Sequence, residues 1–157
     1  MSEPDPIMSR FAVGLAASQN GDRALARDTF ERLWAEVGDA GDPLHRCAIA
    51  HAMADVQDDL AEELAWDLRA LDAATGLTDE RVAAAGAAGT ARSFLPSLHL
   101  NLADVHRRMG HLAEARQHVD VGLATVDALG DDGYGAMIRD GLSRIDAELG
   151  DGPSTVG

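Results

Sequence analysis

The chain contains no lysine: all 13 of its basic residues are arginine, set against 27 aspartates and glutamates. Schiff-base and lysine-nucleophile chemistry are therefore excluded. The formal net charge of −14 repels phosphate backbones and anionic lipid, which argues against nucleic acid or a membrane surface as partner. The single cysteine, Cys47, has no second thiol to bridge to, so a reducing compartment is expected. Long apolar runs are missing as well. The stretch FAVGLAA at 11–17 has no basic lead and gives way to Asn20, Gly21 and Asp22, which suits neither a secretory signal nor a membrane span. These absences together predict a soluble, cytoplasmic protein.

Aromatic residues make up only 4% of the chain, and nowhere does two-residue alternation persist long enough for a strand. Apolar residues recur instead at three- and four-residue spacings, in a sequence with 29 alanines, so the expected fold is all-α. At 157 residues, one domain over 1–150 can bury about 68–70% of its unfolded surface without a disulfide or structural metal. Punctuation divides it. Gly21-Asp22 separates helices at about 5–20 and 22–37, and Asp42-Pro43 supplies an N-cap and first-turn proline for a pair at about 43–56 and 59–74. Thr78 or Asp79 can cap the next helix. Gly86, Gly89 and Pro96 then interrupt the pattern, predicting two helical pieces or one kinked helix over 80–109. A further helix spans 112–129. A last one, 134–149, is expected to bury Tyr134, Met137, Ile138, Leu142, Ile145 and Leu149, and residues 151–157 form a disordered tail.

The segment SLHLNLADVHRRMGHLAEARQHVDVGLATVD at 97–127 closely resembles a tetratricopeptide repeat. Asn101-Leu102-Ala103 stand where that family has N-L-G, Gly110 is its turn glycine, and Leu112-Ala113-Glu114-Ala115 open its second helix. Gly122-Leu123 take the place of its A-L pair, whereas His106 and Asp127 depart from the usual aromatic and terminal proline. The first unit, 8–38, is similar: Gly14 and Ala26 are the small residues that let two helices approach, and Phe30 fills the gap beside them. The unit at 43–74 has no glycine in its first helix. Turn spacing is 37 residues from Gly21 to Asp58 and 52 from Asp58 to Gly110, so an insert lies at about 76–96 ahead of the unit at 97–129. The resemblance implies a right-handed superhelical stack of about three antiparallel helix pairs with a C-terminal capping helix.

No nucleophile motif, phosphate loop or H-E-x-x-H is present, and no catalytic residue is expected. Cys47 and His51 lie four apart, and His99/His106 and His111/His118 each lie seven apart. No two-plus-two motif forms, so neither a metal nor a cofactor is expected. The carboxylates Asp55, Asp58, Asp59, Glu62, Glu63 and Asp67 lack the central glycine of a calcium loop and fit a helix N-terminus with a solvated face. Trp34 and Trp66 are expected to pack between neighbouring pairs. In the family it resembles, first helices line a concave groove that binds peptides or proteins. That implies Phe11 with Leu15, Ser18 and Gln19 in the first unit, and Leu100, Asn101, Asp104, Arg107 and Arg108 in the third. Asp104 stands where a carboxylate clamp of that family has a second asparagine. Arg107 and Arg108 can grip an acidic ligand group bidentately or bridge to nearby acids. The reading is a non-enzymatic interaction module for a peptide or partner protein. The alternatives are a self-associating dimer using Phe94, Leu95 and Leu98, or a small-molecule or metal sensor using the histidines.

Overall fold

The structure, a computed structural model, describes residues 4–150. The segment 151–157, read from sequence as a tail, lies outside the described residues. All regular structure among the described residues is helical, and no helix is long and apolar enough to cross a membrane. The helices cluster as two compact units that divide at Gly76/Leu77.

The first unit holds α1 (Pro6–Gln19), α2 (Arg23–Val37), α3 (Pro43–Asp55) and α4 (Leu60–Ala74), with α1 packed on α2 and α3 on α4. Aspartates set three of the starts. Asp5 accepts from Ile7 and Met8 backbone N–H at 3.0 and 3.2 Å, Asp22 from Leu25 at 3.1 Å, and Asp42 from Leu44 at 3.0 Å. Each cap contributes about 1 kcal/mol. The core joins Phe11, Phe30, Leu33, Ile49, Met53 and Val56. Gly14 makes the approach of α1 to α2: a Cβ there would stand 2.5 Å from Phe30 Cε1. Trp34 and Trp66 meet edge to face with centroids 5.1 Å apart, the packing expected of them.

The second unit holds α5 (Asp79–Ala84), α6 (Leu95–Arg108), α7 (Leu112–Thr125) and α8 (Gly133–Gly150), with 3-10 turns at Ala91–Phe94 and Val126–Ala128. The region 80–109 is thus two α-helical pieces. Pro96 lies in the first turn of α6, where its missing N–H costs nothing, so no kink forms. Thr78 caps α5 through Arg81 N–H at 3.1 Å. The insert is tied down by Asp79, which accepts from Ala91 N–H at 2.8 Å, and by Arg92, which donates to Asp127 at 2.8 Å and to the Ala124 carbonyl at 3.0 Å. Phe94 and Leu95 are half-buried and Leu98 is buried, so the apolar surface on which self-association was reasoned is largely internal.

Helix α8 packs on both α6 and α7. Its buried stripe is Gly135, Ile138, Gly141, Leu142 and Ile145, with Leu149 half-buried. Tyr134 and Met137, expected on that face, are 52% and 59% exposed. The contact runs through glycine: a Cβ at Gly141 would lie 2.9 Å from Leu100 Cδ2, and one at Gly122 of α7 would lie 2.6 Å from Leu142 Cδ2. The stripe follows these close approaches and leaves Tyr134 and Met137 one position off it.

Gly14→Ala forces Phe30 to move. Overpacking of this kind costs about 1–3 kcal/mol, against a gain of about 1 kcal/mol in helix propensity. The variant is expected to unfold at lower urea concentration than the parent. In a Phe30→Leu background the same change should cost nothing, and an equal loss in both backgrounds would rule out the Gly14–Phe30 contact as its source.

Candidate functional site

Four of the six histidines converge on the α6–α7 pair. Helix α6 carries His99 and His106, both buried, and α7 carries half-buried His118, with exposed His111 at its N-cap position. The rings pair across the two helices and not along them. His99 Nδ1 lies 3.0 Å from His118 Nδ1, and His106 Nδ1 lies 3.2 Å from His111 Nδ1. Each distance fits one N–H···N hydrogen bond, with one ring carrying its proton on Nδ1 and the other on Nε2. His118 also stacks on His106 at 5.4 Å with planes 8° apart. The result is a continuous rank, His99–His118–His106–His111. At its open end the donor atoms of His106, His111 and Glu114 all lie within 4.8 Å of one another.

The turn explains this convergence. Gly110 has φ of +82°, Gly110 N–H donates to the Arg107 carbonyl at 3.0 Å, and His111 N–H donates to the His106 carbonyl at 2.8 Å. These are the two bonds of a Schellman motif, which brings the side chains on either side of the reversal together. The residues in those places are His106 and His111. Helical spacing suggested His99 with His106 and His111 with His118. The pairing signal was instead the H-x4-H spacing across the turn glycine.

Electrostatics favour the neutral form of three of these rings. Burial, followed by the neighbouring charges of His99 and His106, pushes the His118 imidazole down to about 4. Burial lowers His99 in the same sense, and His106 is lowered by burial and by His111, opposed by Glu114.

The residues read from sequence as a binding face are distributed differently. Phe11 is only 8% exposed and packs on Phe30 with centroids 5.5 Å apart, so it belongs to the core and not to a ligand surface. Leu100 is half-buried against Gly141, and Asn101 is half-buried beside it in sequence. Arg107 and Arg108 both donate to Asp104, at 2.8 and 2.9 Å, and Arg107 also reaches Glu148 of α8 at 3.3 Å. An acidic ligand at Arg107 would compete with two carboxylates already in place. Leu15 and Gln19 are exposed and Ser18 is half-buried.

Two further sequence candidates have structural explanations. Burial pushes the Cys47 thiol up to about 12, so it is a neutral core group and a poor nucleophile or ligand. In the acidic run, Asp58 takes ion pairs from Arg23 at 2.9 Å and Arg27 at 3.4 Å, whereas Asp67 is only 2% exposed and does not belong to the solvated face expected of these carboxylates.

A surface feature that sequence reasoning missed lies between α1 and α2. Arg10, Val13, Leu25, Asp28, Thr29 and Arg32 line a recess of about 260 Å³. Val13 is 61% exposed and Leu25 48%, so the recess presents apolar side chains to solvent under two guanidinium groups. Arg10 is paired with Glu36 at 2.6 Å and Arg32 with Asp28 at 3.1 Å, all of them exposed.

Compared with family models, with curated proteins and with solved structures, the chain matches none.

The three lowered imidazoles fix a pH dependence. An imidazole held below its ordinary value near 6.5 takes up protons in the unfolded chain first, so stability rises with pH wherever only the unfolded state is protonated. The second unit should be most stable above about pH 7 and lose stability as pH falls from about 6.5 towards 4, starting before most carboxylates titrate. Thermal unfolding at pH 7.5 and pH 5 is expected to show a clear drop in Tm, reduced in His118→Gln. An unchanged slope in that variant would remove His118 as a cause.

Proposed function

We propose that this chain is a non-enzymatic, cytoplasmic interaction module of tetratricopeptide type that binds a peptide or partner protein on the surface of its helix pairs. The observation carrying this reading is the recess between α1 and α2, where Val13 and Leu25 stand exposed between Arg10 and Arg32. Paired helices closing on Gly14, Ala26 and Phe30 support the family reading.

The chemistry selects the ligand class. An apolar side chain entering the recess removes Val13 and Leu25 from water, and burying such a side chain fully contributes about 1.5–3 kcal/mol. A neighbouring carboxylate on the ligand would take over Arg10 or Arg32. Their present partners are solvent-exposed, and such surface pairs exchange at little cost. Arg107 is less exposed and holds both Asp104 and Glu148, so displacement there is harder. The favoured partner is a segment with an apolar anchor flanked by an acidic residue.

Selection from a displayed peptide library with the purified chain, followed by fluorescence anisotropy, tests this. Selected peptides should carry an apolar–acidic pair. Val13→Glu/Leu25→Glu should weaken them by about tenfold or more while leaving the helical circular dichroism spectrum intact. Binding that ignores the double variant, or a library that yields nothing, would sink the proposal.

A further inference from the structure

The open end of the histidine rank has the donor chemistry and spacing of a metal site. Two imidazoles on a tetrahedral zinc-like ion at 2.0–2.1 Å have nitrogens about 3.3 Å apart. The His106 and His111 Nδ1 atoms already lie 3.2 Å apart. Their separation is set by the backbone bonds of the Gly110 turn, so little reorganisation is needed for both to face one ion. Glu114, three residues past His111 in the first turn of α7, places a carboxylate oxygen within 4.8 Å of a ring nitrogen of each histidine. It is exposed, so its side chain is free to close the remaining distance.

We propose that His106, His111 and Glu114 bind one divalent transition-metal ion. Imidazole nitrogen suits zinc, nickel and copper, whereas magnesium and calcium select oxygen donors. Three protein ligands leave a coordination position open to water or an outside ligand, as in exchangeable sites. Binding through both Nδ1 atoms requires each ring to carry its proton on Nε2. The ring that donates in the His106–His111 hydrogen bond therefore changes tautomer, and the metal takes the place of the shared proton. The second pair, His99–His118, packs behind the first through the stacking of His118 on His106 and holds that ring in place. The same Schellman turn occurs at Gly21, where Gly21 N–H donates to Ser18 and Asp22 N–H to Ala17. There the corresponding positions are Ala17 and Asp22, and no donor pair forms.

Isothermal titration of the full, tag-free chain with Zn²⁺ tests the site, with Co²⁺ absorption spectra reporting the coordination. One equivalent is expected to bind with Kd of about 10 µM or tighter. His111→Ala and Glu114→Gln should each weaken it at least tenfold, about the loss that even indirect supporting groups cause. Both residues are exposed, and His111 makes no side-chain cap, so the fold should persist in these variants, as circular dichroism would verify. His45→Ala and His51→Ala should leave affinity unchanged. Millimolar binding, or micromolar binding that survives His111→Ala, would overturn the assignment. So would loss on His99→Ala without loss on His111→Ala, which would place the ion at the inner pair.

Discussion

The reversal of the chain at a left-handed glycine is the constraint from which the rest of each glycine-turned pair follows. At Gly21 and Gly110, φ of +85° and +82° lets two backbone N–H groups turn back onto the carbonyls of the preceding helix. A side chain with a Cβ would oppose that conformation by about 1–2 kcal/mol. Once the reversal is fixed, the phase of the second helix against the first is fixed too. In the first pair that phase sets Phe30 against Gly14. In the α6–α7 pair it sets His118 against His99 and His111 against His106. The same backbone device gives an apolar contact in one place and an imidazole contact in the other, decided only by which residues occupy equivalent positions.

Helix α3 ends without such a glycine, and arginine supplies what the turn cannot. Its last carbonyls need donors. Arg23 donates to the carbonyls of Asp55 and Gln57 at 3.1 and 3.2 Å, and Arg27 donates twice to Val56, at 3.1 and 2.7 Å. Asp58 then pairs with both guanidinium groups. Arg46 on the Gly38 carbonyl and Arg139 on those of Val126 and Leu129 work in the same way. The planar guanidinium presents several N–H donors in fixed directions and can hold a carbonyl and a carboxylate together, which a lysine ammonium does less well. In a chain without lysine, much of the positive charge is thereby committed to helix ends. Arg107 and Arg108 are closed instead on Asp104 of their own helix, which makes them a less open anion site than their sequence spacing suggested.

Features governed by local chemistry were legible from the residues alone. Asp42-Pro43 starts α3, Thr78 starts α5, and the Gly14–Ala26–Phe30 contact is where small and large residues alternate. What escaped depends on the angular setting of one helix against another. Phe11 was placed on a surface because it lies on a first helix, yet it is turned to the core by the phase that puts Gly14 beneath Phe30. Tyr134 and Met137 share an apolar arc with Ile138, but glycine contacts rotate that arc away from them. The histidine rank escaped for the same reason. Its pairs join residues on different helices, at separations of 19 and 5, which no single-helix periodicity reveals.

A polar rank in an otherwise apolar interface has to be accounted for energetically. A buried imidazole leaves a polar nitrogen that water no longer serves, and an unpaired one would cost about 1–3 kcal/mol. Pairing ring to ring satisfies one nitrogen on each histidine, but only while one ring of each pair keeps its Nδ1 free of a proton, since a proton on both Nδ1 atoms turns the hydrogen bond into a repulsion. Aliphatic residues would fill the same volume without that condition. The imidazoles therefore make the α6–α7 contact depend on proton occupancy in a way that leucine would not, and the lowered protonation of His99, His106 and His118 is the direct expression of it. The inner pair meets the condition inside the protein, where burial holds it neutral. The outer pair meets solvent at His111, beside the Glu114 carboxylate, and the two nitrogens that share one proton there are the ones a cation can reach.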